Sequence, residues 1–239
     1  MNREEAHHAL RVLRLRPGDP VVVLDGAGRE YHTEVVELGQ STVRLRVRQQ
    51  IDVPPPPCQL TLLQAIPKGK LLDSILQKAT ELGAARVVPL VTERVVTRLD
   101  DERSEHKLER WQKVVVEAAK QSGAAWMPRV DPPCSPAGFL ARQEPFDLTL
   151  IASLQPGSRH PRECFEAWKR QHGGEPRSVC IWVGPEGDFT AEEVAAAEAA
   201  GALPITLGRL VLRVETAATY CLSIVNYELL AQRGSPTGP

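Results

Sequence analysis

Ser178-Val-Cys-Ile-Trp-Val183-Gly184-Pro185-Glu186-Gly187-Asp188-Phe189-Thr190 decides the fold class of this chain. An unbroken apolar run enters a glycine–proline turn and then opens a helix. Such a run is the mark of a strand buried on both faces, as strands of a parallel sheet are. Thr190 and Glu193 stand at capping-box spacing, and the Ala-rich stretch after them is stopped by Gly201. The same order of strand and helix recurs on either side. Strands are expected over 60–65, 86–91, 147–152 and 204–207. Leu71, Leu72, Ile75, Leu76, Ala79 and Leu82 form a helical stripe that Gly83 ends. A second stripe, Leu108, Trp111, Val115 and Ala118, opens at a Ser104 cap and ends at Gly123, and a last helix is expected over 214–230. This alternation predicts an α/β domain, a parallel sheet with helices on both faces.

Pro54-Pro55-Pro56-Pro57 sets the boundary upstream. Four prolines neither continue a helix nor sit in a central strand. They separate a small β unit, 1–53, from the larger domain, 60–239, with 54–59 as linker. In the small unit, strands are expected at 21–24, before the Asp25-Gly26 turn, and at 31–36. Val43, Leu45 and Val47 alternate with Arg44, Arg46 and Arg48, which puts an apolar face against an arginine face. That second face is either solvated or a surface that meets phosphates.

Composition narrows the class. The 239 residues are 42% hydrophobic and 25% charged, with 29 basic and 30 acidic side chains, as in ordinary globular proteins. Near-neutral charge makes no case for nucleic acid by itself. Residues 60–130 carry 12 basic and 9 acidic groups, and 131–239 carry 9 and 13. No uncharged apolar run of about 18 residues exists, so no membrane-spanning helix is expected. The start, Met-Asn-Arg-Glu-Glu, lacks the apolar region of a secretory signal. Five scattered cysteines without a C-x-x-C argue for the reducing cytoplasm and against a disulfide framework or a structural zinc site.

Common catalytic signatures are absent: no G-x-G-x-x-G after a strand, no Walker A, no G-x-S-x-G and no H-E-x-x-H. His7-His8 point apart in any regular structure, and nothing orients Ser158 and His160 as a nucleophile and its base. Hydrolase, NTPase and metalloenzyme readings fall on these grounds, and no metal site is expected. Two loops remain. Gly184-Pro185-Glu186-Gly187 lies at the carboxyl end of a buried strand, where open α/β sheets bind ligands. Leu207-Gly208-Arg209-Leu210-Val211-Leu212-Arg213-Val214-Glu215-Thr216-Ala217 leads into a helix. The helix dipole favours Glu215 there and disfavours Arg213, which needs Glu215 or an anionic ligand as a partner.

The two loops together resemble the RsmE family, SPOUT-superfamily methyltransferases that modify N3 of a uridine in small-subunit (16S) ribosomal RNA. The likeness extends over most of the chain. His8-Ala-Leu-Arg11-Val12-Leu13-Arg14-Leu-Arg16-Pro17-Gly18-Asp19, Lys68-Gly69-Lys70, Gln77-Lys78-Ala-Thr-Glu81-Leu82-Gly83 and the 110–123 segment match the family's segments in order. Asp188 stands where the family commonly has a second glycine, and only 1–6 precede the histidine region.

The resemblance implies an N-terminal PUA-like RNA-binding barrel and a C-terminal SPOUT domain tied into a trefoil knot. It implies S-adenosyl-L-methionine as cofactor and a homodimer paired through the knot. Loops 153–157, 184–187 and 207–217 would line the cofactor pocket through Leu154, Gly184, Pro185, Glu186, Gly187, Leu207, Gly208, Leu212, Val214, Thr216 and Ala217. Arg213 would stabilise negative charge on the uracil. Glu215 would orient Arg213 or take the N3 proton, orientation being preferred. Arg11, Arg14, Arg16, Lys68, Lys70 and Lys78 are the candidate RNA contacts, partly by likeness and partly because cations meet phosphates. The partner would be 16S rRNA or the small ribosomal subunit. The rival readings are the same chemistry on another rRNA or tRNA base, and a non-catalytic RNA-binding assembly factor.

Overall fold

In a computed structural model of the chain, the described residues are 15–40, 42–94, 101–155 and 157–230, the side chains of 101–104 excepted. Two compact units form, Met1–Pro55 with Gly123–Trp126, and Pro56–Ser122 with Met127–Pro239.

The first unit holds an antiparallel meander of β1 (Pro20–Leu24), β2 (Arg29–Leu38) and β3 (Val43–Asp52). The turn after β1 is set by Asp25, whose Oδ1 accepts from the N–H groups of Ala27 at 2.7 Å and Arg29 at 3.0 Å. Those bonds hold the Asp25 carboxyl below its usual value. Val35 and Val43 are buried, with Leu15, Val21, Leu38 and Leu45 packed against them. The apolar face of β3 stops short of Val47, which is 56% exposed although it pairs in register with Thr33. Trp126 belongs to this unit, its indole N–H donating to the Val53 and Pro54 carbonyls at 3.1 Å.

The second unit is a six-stranded, wholly parallel sheet. Its strands are β4 (Gln59–Ala65), β5 (Arg86–Leu90), β6 (Arg129–Val130), β7 (Leu148–Ala152), β8 (Ser178–Val183) and β9 (Leu203–Ile205). Their spatial order is β6-β5-β4-β8-β7-β9. Strand residues alternate between two cores. Leu60, Leu62, Val179 and Ile181 face α1 (Leu71–Glu81), α2 (Asp101–Ser122), α4 (Pro161–His172) and α6 (Val214–Val225). Leu63, Ala65, Cys180 and Trp182 face α3 (Pro136–Leu140) and α5 (Ala191–Ala199). Helices therefore cover both faces, as the strand–helix alternation predicts.

Five elements differ from the sequence reading. The helix expected to open at Ser104 begins at Asp101. The last helix is α-helical only to Val225 and continues as a π turn over Asn226–Leu230. β6, α3 and α4 were not anticipated. Among the described residues no helix is long and apolar enough to cross a membrane, and no group of three or more His, Cys, Asp or Glu side chains could hold a metal ion.

Candidate functional site

All six strands run the same way, so the loops after β7, β8 and β9, which are neighbours in the sheet, emerge side by side. They enclose a cavity of about 710 Å³, within the roughly 300–1,000 Å³ usual for small-molecule sites. The loop after β7 contributes Ser153, Leu154 and Gln155. The loop after β8 contributes Gly184, Pro185, Glu186 and Asp188, and the stretch from Thr206 to Glu215, with Ala217, contributes the rest. Leu71, the first residue of α1, completes the wall.

The β8 loop turns back on itself at Gly184. A Cβ there would lie 2.9 Å from Asp188 Oδ1 and 3.2 Å from the Phe189 nitrogen, so no side chain fits. Three neighbours hold this loop. Glu186 Oε1 accepts from the Lys68 N–H at 3.0 Å. Asp188 Oδ2 accepts from the Leu154 N–H at 3.4 Å. The Arg94 guanidinium donates to the Gly187 carbonyl and, at 3.4 Å, to that of Phe189. The loop then enters α5 through the expected capping box: Thr190 Oγ1 accepts from Glu193 N–H at 3.2 Å, and Glu193 Oε2 from Thr190 N–H at 2.9 Å.

The loop after β9 is held more sparsely. Gly208 has φ +112°, a conformation that only glycine adopts without strain, and its N–H donates to Thr206 Oγ1 at 3.2 Å. Leu210 and Val211 are each 77% exposed. Arg213 is the N-cap of α6, and its side chain makes no capping bond. It is exposed and lines the cavity together with Glu215, which is half-buried. No ion pair joins Arg213 to Glu215 among the described residues. The orientation of Arg213 by Glu215 that the sequence reading preferred is therefore not in the structure.

Of the expected cofactor residues, Leu154, Gly184, Pro185, Glu186, Leu207, Gly208, Leu212, Val214 and Ala217 line this one cavity. Gly187 and Thr216 do not. Gly187 gives its carbonyl to Arg94, while Thr216 sits exposed in the first turn of α6. Of the expected RNA contacts, Arg11 and Arg14 lie outside the described residues. Arg16 is exposed in the first unit, and its backbone N–H donates to Asp19 Oδ2 at 2.7 Å. Lys68 and Lys70 are exposed at the start of α1, while Lys78, two turns along, is paired with Glu81 at 2.7 Å. The arginine face of β3 is largely self-neutralised: Arg44 pairs with Glu37 at 2.7 Å and Arg48 Nε with Glu34 at 2.9 Å.

Ser158 and His160 have local structural partners. Ser158 Oγ donates to the Gln155 carbonyl at 2.9 Å, and the His160 ring accepts from the Arg162 N–H at the start of α4. All five cysteines are free thiols, and burial pushes those of Cys58 and Cys221 up to about 12. Sequence reasoning missed the structural parts of Arg94 and Glu186. No local signal marks either, because their partners lie 93 and 118 residues away in the chain.

Comparison with known proteins bears on this site. A family profile described as an RNA methyltransferase domain matches residues 54–226, and one described as an RNA methyltransferase PUA domain matches 2–48. The ribosomal RNA small subunit methyltransferase E of Synechocystis is 36% identical over 93% of this chain and 70% of its own length. Its counterpart in Bacillus subtilis is 32% identical over 97% and 90%. The structure of ribosomal RNA small subunit methyltransferase E from Neisseria gonorrhoeae bound to S-adenosyl methionine superposes with a TM-score of 0.85 at 27% identity. It covers 98% of this chain and 92% of that one.

Proposed function

The chain belongs to the ribosomal RNA small subunit methyltransferase E family, and from that premise we propose that it transfers a methyl group from S-adenosyl-L-methionine to N3 of a uridine in 16S ribosomal RNA. The observation that carries the reading is the cavity at the carboxyl edge of the sheet, walled by three loops and bordered by Arg213, which has no ion-pair partner among the described residues. Its size and its glycine- and leucine-rich lining suit a small nucleoside held largely through backbone groups. Loops 153–155, 184–188 and 206–217 would hold that cofactor, which supplies a sulfonium-activated methyl when bound.

The chain's own work is to place the base and manage charge. Uridine N3 carries an imide proton that must leave. The Glu215 carboxylate makes no side-chain bond among the described residues and stands at the cavity. It takes the N3 proton, the role that the sequence reading ranked second. Arg213 faces the charge that develops on the uracil oxygens, since guanidinium stays charged and presents forked donors. Lys68 and Lys70 beside the cavity, with Arg11, Arg14, Arg16 and Lys78, meet RNA phosphates.

The same reading includes the trefoil knot, the division into 1–53, 54–59 and 60–239, and work in the cytoplasm on the small ribosomal subunit. It also includes a homodimer through the knot region. Leu210 and Val211, each 77% exposed, Tyr220 at 47% and Tyr227 at 71% supply apolar surface for that pairing.

The experiment is methylation of undermethylated small subunits with labelled S-adenosylmethionine, read by nucleoside mass spectrometry. 3-Methyluridine is the expected product. A different methylated nucleoside moves the target to another rRNA or tRNA base, and no cofactor binding favours the RNA-binding assembly factor.

A further inference from the structure

Arg94 reaches the site from the loop after β5. Its guanidinium donates to the carbonyls of Gly187 and Phe189. The residue between them, Asp188, has φ +60°, the left-handed region that L side chains rarely adopt. Arg94 therefore grips the peptide that enters the strained residue and the second peptide after it, and so spans Asp188. Asp188 in turn ties two walls of the cavity together: Oδ1 accepts from its neighbour Phe189 at 2.8 Å and Oδ2 from the Leu154 N–H of the β7 loop. Glu93, next to Arg94, donates its N–H to Glu193 Oε1 at 3.0 Å, so the clamp is fastened to the first turn of α5.

We propose that Arg94 is a positioning residue for the cofactor cavity: it holds Asp188 in its strained conformation and thereby sets the wall formed by Gly184, Pro185, Glu186 and Leu154. The inference rests on the reading of the cavity as the S-adenosylmethionine site, and Arg94 itself does not line it. Backbone strain persists only where surrounding contacts over-determine it. A charge-assisted pair of bonds to the flanking carbonyls is such a contact. Without it, Asp188 relaxes, the 187–189 peptides rotate and the Leu154 tie is lost.

The test uses the full chain as wild type, Arg94→Ala, Arg94→Lys, Asp188→Gly and the double variant. It measures S-adenosylmethionine affinity by calorimetry, amide hydrogen exchange over 184–190, and melting temperature. Arg94→Ala is expected to weaken affinity about tenfold and speed exchange in 184–190, with strand exchange and melting temperature near wild type. Arg94→Lys, which keeps one charged donor, recovers part of both. In the Asp188→Gly background the strain is gone, so the Arg94→Ala penalty shrinks below about threefold.

Equal penalties in the two backgrounds overturn the proposal, as does Arg94→Ala with wild-type affinity and wild-type loop exchange. If Arg94→Ala does not fold, Arg94→Gln takes its place in the same cycle. If wild type itself binds no S-adenosylmethionine, the reading of the cavity falls, and loop exchange alone decides the clamp. Faster exchange in Arg94→Ala that Asp188→Gly suppresses carries it, and unchanged exchange overturns it.

Discussion

Five ionised side chains meet beside β5 and β6, and each has an opposite charge in reach, whereas at the start of α6 Arg213 and Glu215 stand two residues apart and share no bond. In the first group Arg86 Nε donates to Asp131 Oδ2 at 3.0 Å and Arg86 Nη2 to Glu144 Oε1 at 3.1 Å. Arg129 reaches Asp131 at 2.9 Å and Arg142 reaches it at 3.3 Å. The Arg86 and Asp131 side chains are only 14% and 6% exposed. Charges taken out of water this far are tolerated because they are paired and hydrogen-bonded. Arg213 is the reverse case. It sits at the positive end of a helix dipole, which disfavours a cation by about 0.3–1 kcal/mol, and among the described residues no carboxylate pairs with it. The first arrangement serves stability. Under the proposed function, the second keeps a charge available for an anion that arrives from outside.

The contrast breaks most visibly at Arg213. Arg213→Ala is expected to lower methyl transfer about 100-fold or more, with RNA affinity and unfolding free energy close to wild type. Single-turnover kinetics beside urea unfolding measure the two, and normal turnover would remove Arg213 from the chemistry. Arg86→Ala is the mirror image. It leaves Asp131 buried with less compensation and is expected to cost roughly 3 kcal/mol of stability. S-Adenosylmethionine affinity of the folded fraction stays unchanged. A loss of affinity without a loss of stability would merge the two groups into one.

The two groups also differ in how far the sequence disclosed them. Arg213 and Glu215 lie within one run that leads from a glycine loop into a helix, so local pattern draws attention to them, and the family resemblance supplies their roles. The Arg86 cluster joins residues 45 and 58 positions apart, and no period or spacing marks it. The same rule holds for the fold. Strands and helices with an apolar run or a clear stripe were legible, as was the Thr190–Glu193 box. β6 has two residues and α3 has five, too few to show a period. α4 buries only Pro161, Cys164 and Phe165 among polar neighbours, so its stripe is faint. Strand order was not legible, because pairing in space is set by packing between distant segments. The lack of an ion pair between Arg213 and Glu215 also lay beyond sequence: spacing brings two side chains near the same helix end but does not fix where each turns.

Acid sharpens the comparison at smaller amplitude. Burial by itself would push the Asp131 carboxyl up, but the bonds and charge of Arg86, with Arg129, outweigh it and hold the carboxyl below its usual value. Arg86 also holds Glu144 down, against a lesser effect of burial. A carboxyl lowered in the folded state contributes stability that is fully present above its unfolded value, near 4, and is lost as pH falls through the folded one. Urea midpoints are therefore expected to drop below about pH 4, and the drop to be shallower in Arg86→Ala, by about 1 kcal/mol. Parallel acid limbs in the two proteins would mean that the cluster's charges are not what acid titrates.

The arginine face of β3 supplies the smallest effect and the third case, charges paired but exposed. Arg48 and Glu34 have side chains 54% and 34% exposed, and Arg44 and Glu37 74% and 61%. Pairs this open to water contribute about 0–1 kcal/mol, so Arg48→Ala is expected to move stability by less than about 0.5 kcal/mol. The informative readout is RNA. An arginine that meets a phosphate releases a counterion, and its loss reduces the salt dependence of binding by about one unit of slope. Arg48 already faces a carboxylate that a phosphate would have to displace. The expected change in slope for Arg48→Ala is therefore well under one unit, with Lys68→Ala giving the larger change. A full unit at Arg48 would mean that Glu34 gives way, making this face a phosphate-binding surface and its crossed ion pairs a resting state.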